Sequence, residues 1–341
     1  MLLYGNLKEG SFLYKFILLF LLAFSLYAED EYELGKGVQV ASLPFYLGAY
    51  FSADYRHMDK EDRYRLNDLA LLGYGNYEKF SYMAEFEYKI LYSYTQTQHE
   101  ESIEKDLALH TERLYLDYNY NENYLLRVGK YNSPIGFWNL LPINVLRQTT
   151  SHPISTDILF PKFTTGLGGS YTSYHDCELH IDFMLQHNAD IDNIYNNYKI
   201  DEHYGITFLY EKENYALKAN AGYFHKLETL SSPQNLYYYL LSAKYESETY
   251  ELLAEAGSQY SQNAATTPYA AYIQGLYRFT QQHIGSVRLE SYKDNMTNRD
   301  DSISVFAYTY RPIYPVAFKS EYQIHSISQQ NQFLFSISVL F

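Results

Sequence analysis

Charged side chains recur at every second position within stretches that are otherwise aromatic and aliphatic. Glu85, Glu87 and Lys89 alternate with Ala84, Phe86, Tyr88 and Ile90. Arg113 and Asp117, then Arg127, interrupt the next two runs in the same way, and Glu178, His180 and Asp182 a later one. The pattern continues through Lys218, Lys244, Glu251 and Glu255, then Arg278, Arg288 and Glu290, and finally Lys319 and Glu321. A period of two places these groups on one face of a strand and the apolar residues on the other. Leaving His180 aside as neutral, eight are cationic and nine anionic. A wall of such mixed sign can sort solutes by size and charge. Selective phosphate binding needs a one-sided ladder of Arg and Lys, which this near balance does not supply.

Bond-making chemistry finds little support. Gly168-Gly169-Ser170-Tyr171-Thr172 is not a Gly-x-Ser-x-Gly elbow, and it lies in a strand, where glycine marks a bend. No His-Glu-x-x-His pattern occurs, and Cys177 is the single cysteine, so neither a zinc set nor an internal disulfide is expected. The eleven histidines are scattered. A hydrolase would need a Ser–His pair assembled only in space. The reading is of a non-enzyme with no metal or cofactor. A net charge of −14 without a basic run argues against nucleic acid as a partner.

The elements that must hold these faces are strands. The last segment shows it best: Phe333, Phe335, Ile337, Val339 and Phe341 share one face, with Gln332, Ser336 and Ser338 on the other. The 41 tyrosines and 20 phenylalanines suit a pleated, half-buried surface. Sixteen strands are expected between residues 45 and 341. Connections after even-numbered strands are tight, as at Asn121-Glu122-Asn123 and Ser247-Glu248, whereas 95–106, 132–163, 187–202, 226–234, 260–267 and 294–301 are longer. That rhythm belongs to transmembrane barrels, and an even count puts both chain ends on the inner side. In lipid an open sheet edge leaves backbone groups unpaired, so the sheet must close. The expected fold is therefore all-β, a transmembrane antiparallel up-and-down β-barrel of about sixteen strands. Its lumen is too wide for side chains alone to fill. Strand-end tyrosines such as Tyr46, Tyr118, Tyr210 and Tyr310 suit interfacial belts.

Ahead of the strands, Lys8 and Lys15 precede an apolar run from Phe16 to Leu26, with Ala28 before an acidic stretch. This is the layout of a secretory signal peptide over 1–28, too short to span a bilayer. Residues 29–44 then form an inner, periplasmic N-terminal segment and 45–341 the barrel.

The longest connection, 132–163, carries Pro134, Gly136, Trp138, Arg147, His152 and Asp157 among many apolar residues. An apolar loop face must be buried against something. Three placements are open: inside the lumen as a constriction, outside as a cap or subunit contact, or disordered. The outer loops are acid-rich around Glu100–Asp106, Asp190 with Asp192, and Asp294–Asp301. Solvated loop charge is expected there, with divalent cations bridging to lipopolysaccharide as the alternative. An acidic mouth favours cations weakly.

Two stretches resemble known families. Ile337, Val339 and Phe341 occupy the positions of the C-terminal signal of bacterial outer-membrane proteins, which implies recognition by the barrel-assembly machinery. Leu126–Trp138 is similar to a segment of general and phosphate-selective-type porins, with Ile135 departing from an aromatic. The resemblance implies an outer-membrane setting among lipids and lipopolysaccharide. It also implies a loop after the fifth strand that narrows the lumen, and a homotrimer. The function expected is passive diffusion of small hydrophilic solutes or ions. A structural or adhesive surface barrel with a plugged lumen is the other reading, and a barrel-embedded hydrolase a third.

Overall fold

The structure is a computed structural model that describes residues 35–227 and 234–341. The expected signal peptide and residues 29–34 of the N-terminal segment lie outside the described residues. β1 (Val38–Gln39) is a two-residue pairing onto the start of β2 (Phe45–Met58). The chain continues through β3 (Glu61–Tyr77), β4 (Phe80–Thr97), β5 (Glu101–Asp106), β6 (His110–Asn119) and β7 (Tyr124–Asn132). After the longest connection come β8 (Phe163–Tyr174), β9 (Glu178–His187), β10 (Ile200–Lys212), β11 (Tyr215–Lys226) and β12 (Asn235–Glu246). The last six are β13 (Tyr250–Ser261), β14 (Ala265–Arg278), β15 (His283–Asp294), β16 (Arg299–Tyr310), β17 (Val316–His325) and β18 (Gln332–Leu340).

Sixteen of these, all but β1 and β5, pair antiparallel with their neighbours, and β18 returns to β2 from Gln332↔Met58 to Leu340↔Tyr50. Phe341 extends the seam, its N–H donating to the Ala49 carbonyl at 2.7 Å. The sheet has no open edge, which is what lipid demands of it. Phe341 also stacks on Phe51 across the seam, while Ile337 and Val339 pair with Ala53 and Phe51.

The strands run longer than apolar alternation alone marks. The connection expected at 95–106 is instead the outer end of β4 folded back onto β5, paired from Gln96↔Glu101 to Ile90↔Asp106. The loops expected at 260–267 and 294–301 shrink to 262–264 and 295–298. Backbone pairing persists beyond the apolar band, because polar side chains do not stop a ladder whose outer face meets water.

Outward rows are apolar and exposed, as with Leu217, Leu241, Ile273 and Leu289. Tyrosine pairs gather at both strand ends. Tyr215–Tyr245 and Phe80–Tyr118 sit at the inner turns, Tyr55–Tyr64 and Tyr223–Tyr237 towards the outer loops, with centroids 4.8–5.2 Å apart. Such rings carry an apolar body and a polar tip to each water–lipid boundary. The inward rows differ around the barrel. On β12, Leu236, Tyr238 and Leu240 point inward and are buried, while Tyr237, Tyr239 and Leu241 face out. That strand is apolar on both faces, so something apolar must lie inside it.

Candidate functional site

What lies inside is the connection from β7 to β8, residues 133–162. Its two ends are clasped together. The Ser133 N–H donates to Lys162 O at 2.9 Å, and Asn139 Nδ2 donates to both Ser133 O and Lys162 O at 2.8 and 3.0 Å. From that neck the loop crosses to the far wall. Pro134 offers its carbonyl to Thr207 on β10 and Asn220 on β11, at 3.0 and 3.2 Å. Gly136 follows with φ +64°, and a Cβ there would stand 2.8 Å from a Glu255 oxygen. Glycine is needed at this point, because the left-handed turn aims the next amides at the wall. The Gly136 N–H reaches Asn220 at 3.1 Å, the Phe137 N–H reaches Glu255 at 2.5 Å, and Lys218 donates to Gly136 O at 2.7 Å.

Trp138 packs on Leu253 and Tyr272, with the Arg288 guanidinium 5.5 Å from its ring centre. Lys319 grips Asn144 through its side-chain oxygen at 2.7 Å and its carbonyl. Arg288 pairs with Glu290 at 2.6 Å and donates to Thr149 and Ser151 at 3.0 and 2.7 Å. Glu321 accepts from the Thr150 and Ser151 amides at 2.8 and 3.2 Å, and Glu290 from the Ile154 amide at 2.7 Å. The short helix Ile154–Ile158 leads to Leu159 and Phe160, which are buried with Ile135 against Met184, Phe224, Tyr238 and Leu240. The loop thus follows the inner wall from β10 to β18, and its Ile143 and Val145 reach on to Tyr50, Ala70 and Leu72 of β2 and β3.

This arrangement changes the role of several residues read as water-facing. Lys218, Glu255, Arg288, Glu290, Lys319 and Glu321 do point inward, yet all are buried beneath the loop. A buried charge without partners is very costly, and here each is met by loop amides, carbonyls or an opposite charge. Arg278 lies near the inner turns, donating to Ser247 O at 3.0 Å. On the other side of the barrel, Arg113 pairs with Glu85, and Arg127 binds Asp117 through bonds of 2.6 and 2.7 Å. Lys89 donates to Ile194 O.

The acidic pair of loop 188–199 is not freely solvated charge. Asp190 accepts from Thr165 and Asn196 at 2.9 and 3.0 Å, and Asp192 from His110 and the Thr111 N–H at 2.9 and 3.1 Å. Asn197 in turn donates to Asp157 O and Phe160 O, both at 2.8 Å, so this second loop braces the first.

Between the inserted loop and the wall of β2, β3, β4 and β6 remains a cavity of about 430 Å³. Its lining includes Arg147, His152 and Lys162 of the loop, facing Asp54, Asp68, Glu87 and Glu112 of the wall. Arg56, Arg63 and Arg65 line it as well, and the sequence reading did not single them out. Burial and the neighbouring Arg147 and Lys162 charges push the His152 imidazole down to about 4. Burial raises the Asp157 carboxyl, but the adjacent Lys162 and His152 outweigh that and hold it well below the usual carboxylate range.

Among the described residues, one group has metal-ligand geometry that the sequence did not suggest. Glu178 and Glu211 face each other across β9–β10, with His180 2.8 Å from Glu178. Lys244 and Lys212 stand in the same open pocket as the two carboxylates and can balance their charge. Cys177, in the neighbouring turn, is free.

No family model and no curated protein matches this sequence. Solved structures do match. Salmonella typhi OmpF in complex with daunomycin superposes with a TM-score of 0.60 at 11% identity, over 87% of this chain and 97% of that one. OprB of Pseudomonas putida, at high pH, gives 0.63 at 9% identity over 87% and 94%. An anion-selective porin from Comamonas acidovorans gives 0.59 at 8% identity over 87% and 99%. With its closed sixteen-strand sheet, apolar outer girdle and inserted loop, the chain has the fold of the porin-like outer-membrane β-barrels.

Proposed function

We propose that the protein is an outer-membrane channel through which small hydrophilic solutes or ions diffuse passively, narrowed by the loop 132–163. The observation that carries this reading is the charged cavity of about 430 Å³ left between that loop and the β2–β6 wall. The mechanism needs no bond chemistry. Size exclusion at the narrowed level combines with the field of the wall charges, and the solute's own gradient drives the flux. The loop's apolar cluster holds one side of the lumen shut, so passage is confined to the polar side. The apolar girdle meets bilayer lipid, and the acidic outer loops meet the lipopolysaccharide layer. Assembly as a homotrimer is part of the proposal, and a trimer form is described for one structurally similar protein, OmpT of Vibrio cholerae.

Refolded protein in planar bilayers tests the proposal. Discrete ohmic steps in KCl, together with swelling of liposomes in small sugars, are expected. Correctly folded barrels with no conductance would favour the plugged, structural reading instead.

A further inference from the structure

The β2–β3 wall carries three guanidinium groups beyond the reach of the loop's clamps. Register places Arg56 directly opposite Arg63, and Asp54 opposite Arg65. Asp54 neutralises Arg65 through two parallel bonds of 3.0 and 2.9 Å. Glu61 pairs with Arg56. Arg63 has no ion-pair partner among the described residues. Like charges directly opposite one another weaken a strand pair. The Nε atoms of Arg56 and Arg63 are moreover buried and bond nothing among the described residues. A buried donor without an acceptor carries its full desolvation penalty.

The acids of the cavity do not relieve this. Glu87 lies opposite Ala70, and Arg63 opposite Thr95. The two levels are therefore seven residues apart along β3, about 23 Å at 3.3 Å per residue. Asp68 is nearer but already accepts from Ser52 and Asn67, at 2.6 and 2.9 Å. The outer end of the cavity thus holds three guanidinium groups against the carboxylates of Asp54 and Glu61, whereas deeper in it Asp68, Glu87 and Glu112 lie with Lys89, Arg147 and Lys162.

We infer that Arg56 and Arg63, with Arg65 beside them, bind an oxyanion group, carboxylate or phosphate, of a small solute entering from the outer side. The inference rests on the channel reading only for how the solute arrives. A guanidinium group presents planar, paired N–H donors that suit a two-oxygen anion and not a spherical one, and Arg63 has no carboxylate of its own among the described residues. Partial enclosure by the wall and the loop strengthens the attraction relative to open water.

The test uses the full barrel, with fold checked by its heat-dependent gel mobility. Inorganic phosphate and acetate, each titrated at constant ionic strength against chloride, are followed by KCl current in bilayers and by calorimetry in detergent. The wild type is compared with Arg63→Gln and Arg56→Gln. Saturable binding is expected, with about a tenfold or greater weakening in Arg63→Gln from loss of a charge-assisted fork. Binding of phosphate alone, acetate alone or both supports the site and identifies the group it takes. Saturable, Arg63-dependent binding without any KCl current would keep the site and remove the channel reading. Absence of saturation by both anions, or equal binding to Arg63→Gln, would overturn the site.

Discussion

The two sides of this barrel use the same kinds of residue to opposite ends. Along β10–β18 Lys218, Glu255, Arg288, Glu290, Lys319 and Glu321 are sealed beneath the loop and spend their hydrogen bonds on its backbone and side chains. Along β2–β6 the corresponding charges pair with one another or face the cavity. A charged inward residue in a wide barrel therefore has two fates, as a clamp or as a surface for solute. Which one it meets depends on whether a loop lies over it. The clamped side has the larger apolar inner cluster, with Phe224, Tyr238 and Leu240 against Ile135, Leu159 and Phe160, and a smaller one joins Ile143 and Val145 of the loop to Tyr50, Ala70 and Leu72 on β2 and β3.

The contrast can be broken most strongly by removing the loop. Deletion of 139–158 leaves the clamping charges to water, which can solvate them, so the barrel still folds. Single-channel conductance should rise by at least about twofold as the lumen widens. An unchanged conductance would mean that the loop does not narrow the path.

Stability should separate the two sides next. Arg288→Ala strands Glu290 and breaks the bonds to Thr149 and Ser151, and should cost about 3–5 kcal/mol in reversible denaturant unfolding. Arg63→Ala removes a charge with no ion-pair partner from a like-charge pair, and should change stability by less than about 0.5 kcal/mol or raise it slightly.

Gly136→Ala tests the hinge of the clamp. Forcing an alanine to φ +64° against Glu255 should cost about 1–3 kcal/mol and make the open-channel current noisier as the loop loosens. The smallest effect concerns pH. His152 sits at about 4 in the fold against an ordinary value near 6.5. Its folded value is depressed, so the unfolded chain binds the extra proton between those two values. Its contribution to stability is complete above about pH 6.5 and is lost as pH falls through the window to about 4. Between pH 8 and 7 the difference in unfolding midpoint between wild type and His152→Gln should stay constant, set by the lost contacts to Arg147 and Asp157, and it should change with pH below 6.

Much of the fold was legible because one face of every strand meets lipid, and lipid enforces strict alternation. Phe333 to Phe341 and Phe80 to Ile90 read as strands, and the structure pairs them so. The strand ends were less legible, since the β4–β5 ladder continues on polar residues. The interior was read only in part. Lys218, Glu255 and Lys319 were placed inward by alternation, but their partners lie far away in sequence, as with Phe137 and Glu255, 118 residues apart. The run Leu236-Tyr237-Tyr238-Tyr239-Leu240-Leu241, apolar on both faces, was the available sign that something covers β12 from inside. Arg63 and Arg65 were obscured by the bulge between Leu66 and Asn67, where Asp68 adopts φ +53°. Before it odd positions face inward, and after it Asp68, Ala70 and Leu72 do. The Ser52, Asp54, Arg56 alternation on β2 held the same information without a bulge.

The division of the lumen into a clamped and an open side can be measured directly by thiol accessibility. With Cys177 replaced by serine, Asn67→Cys on the cavity wall and Gln274→Cys beneath the loop are each exposed to a charged, water-soluble methanethiosulfonate reagent during bilayer recording. Rapid, stepwise loss of current is expected for Asn67→Cys, and none on the same timescale for Gln274→Cys. Equal reaction at both positions, or block from Gln274→Cys alone, would contradict a passage confined to the β2–β6 side.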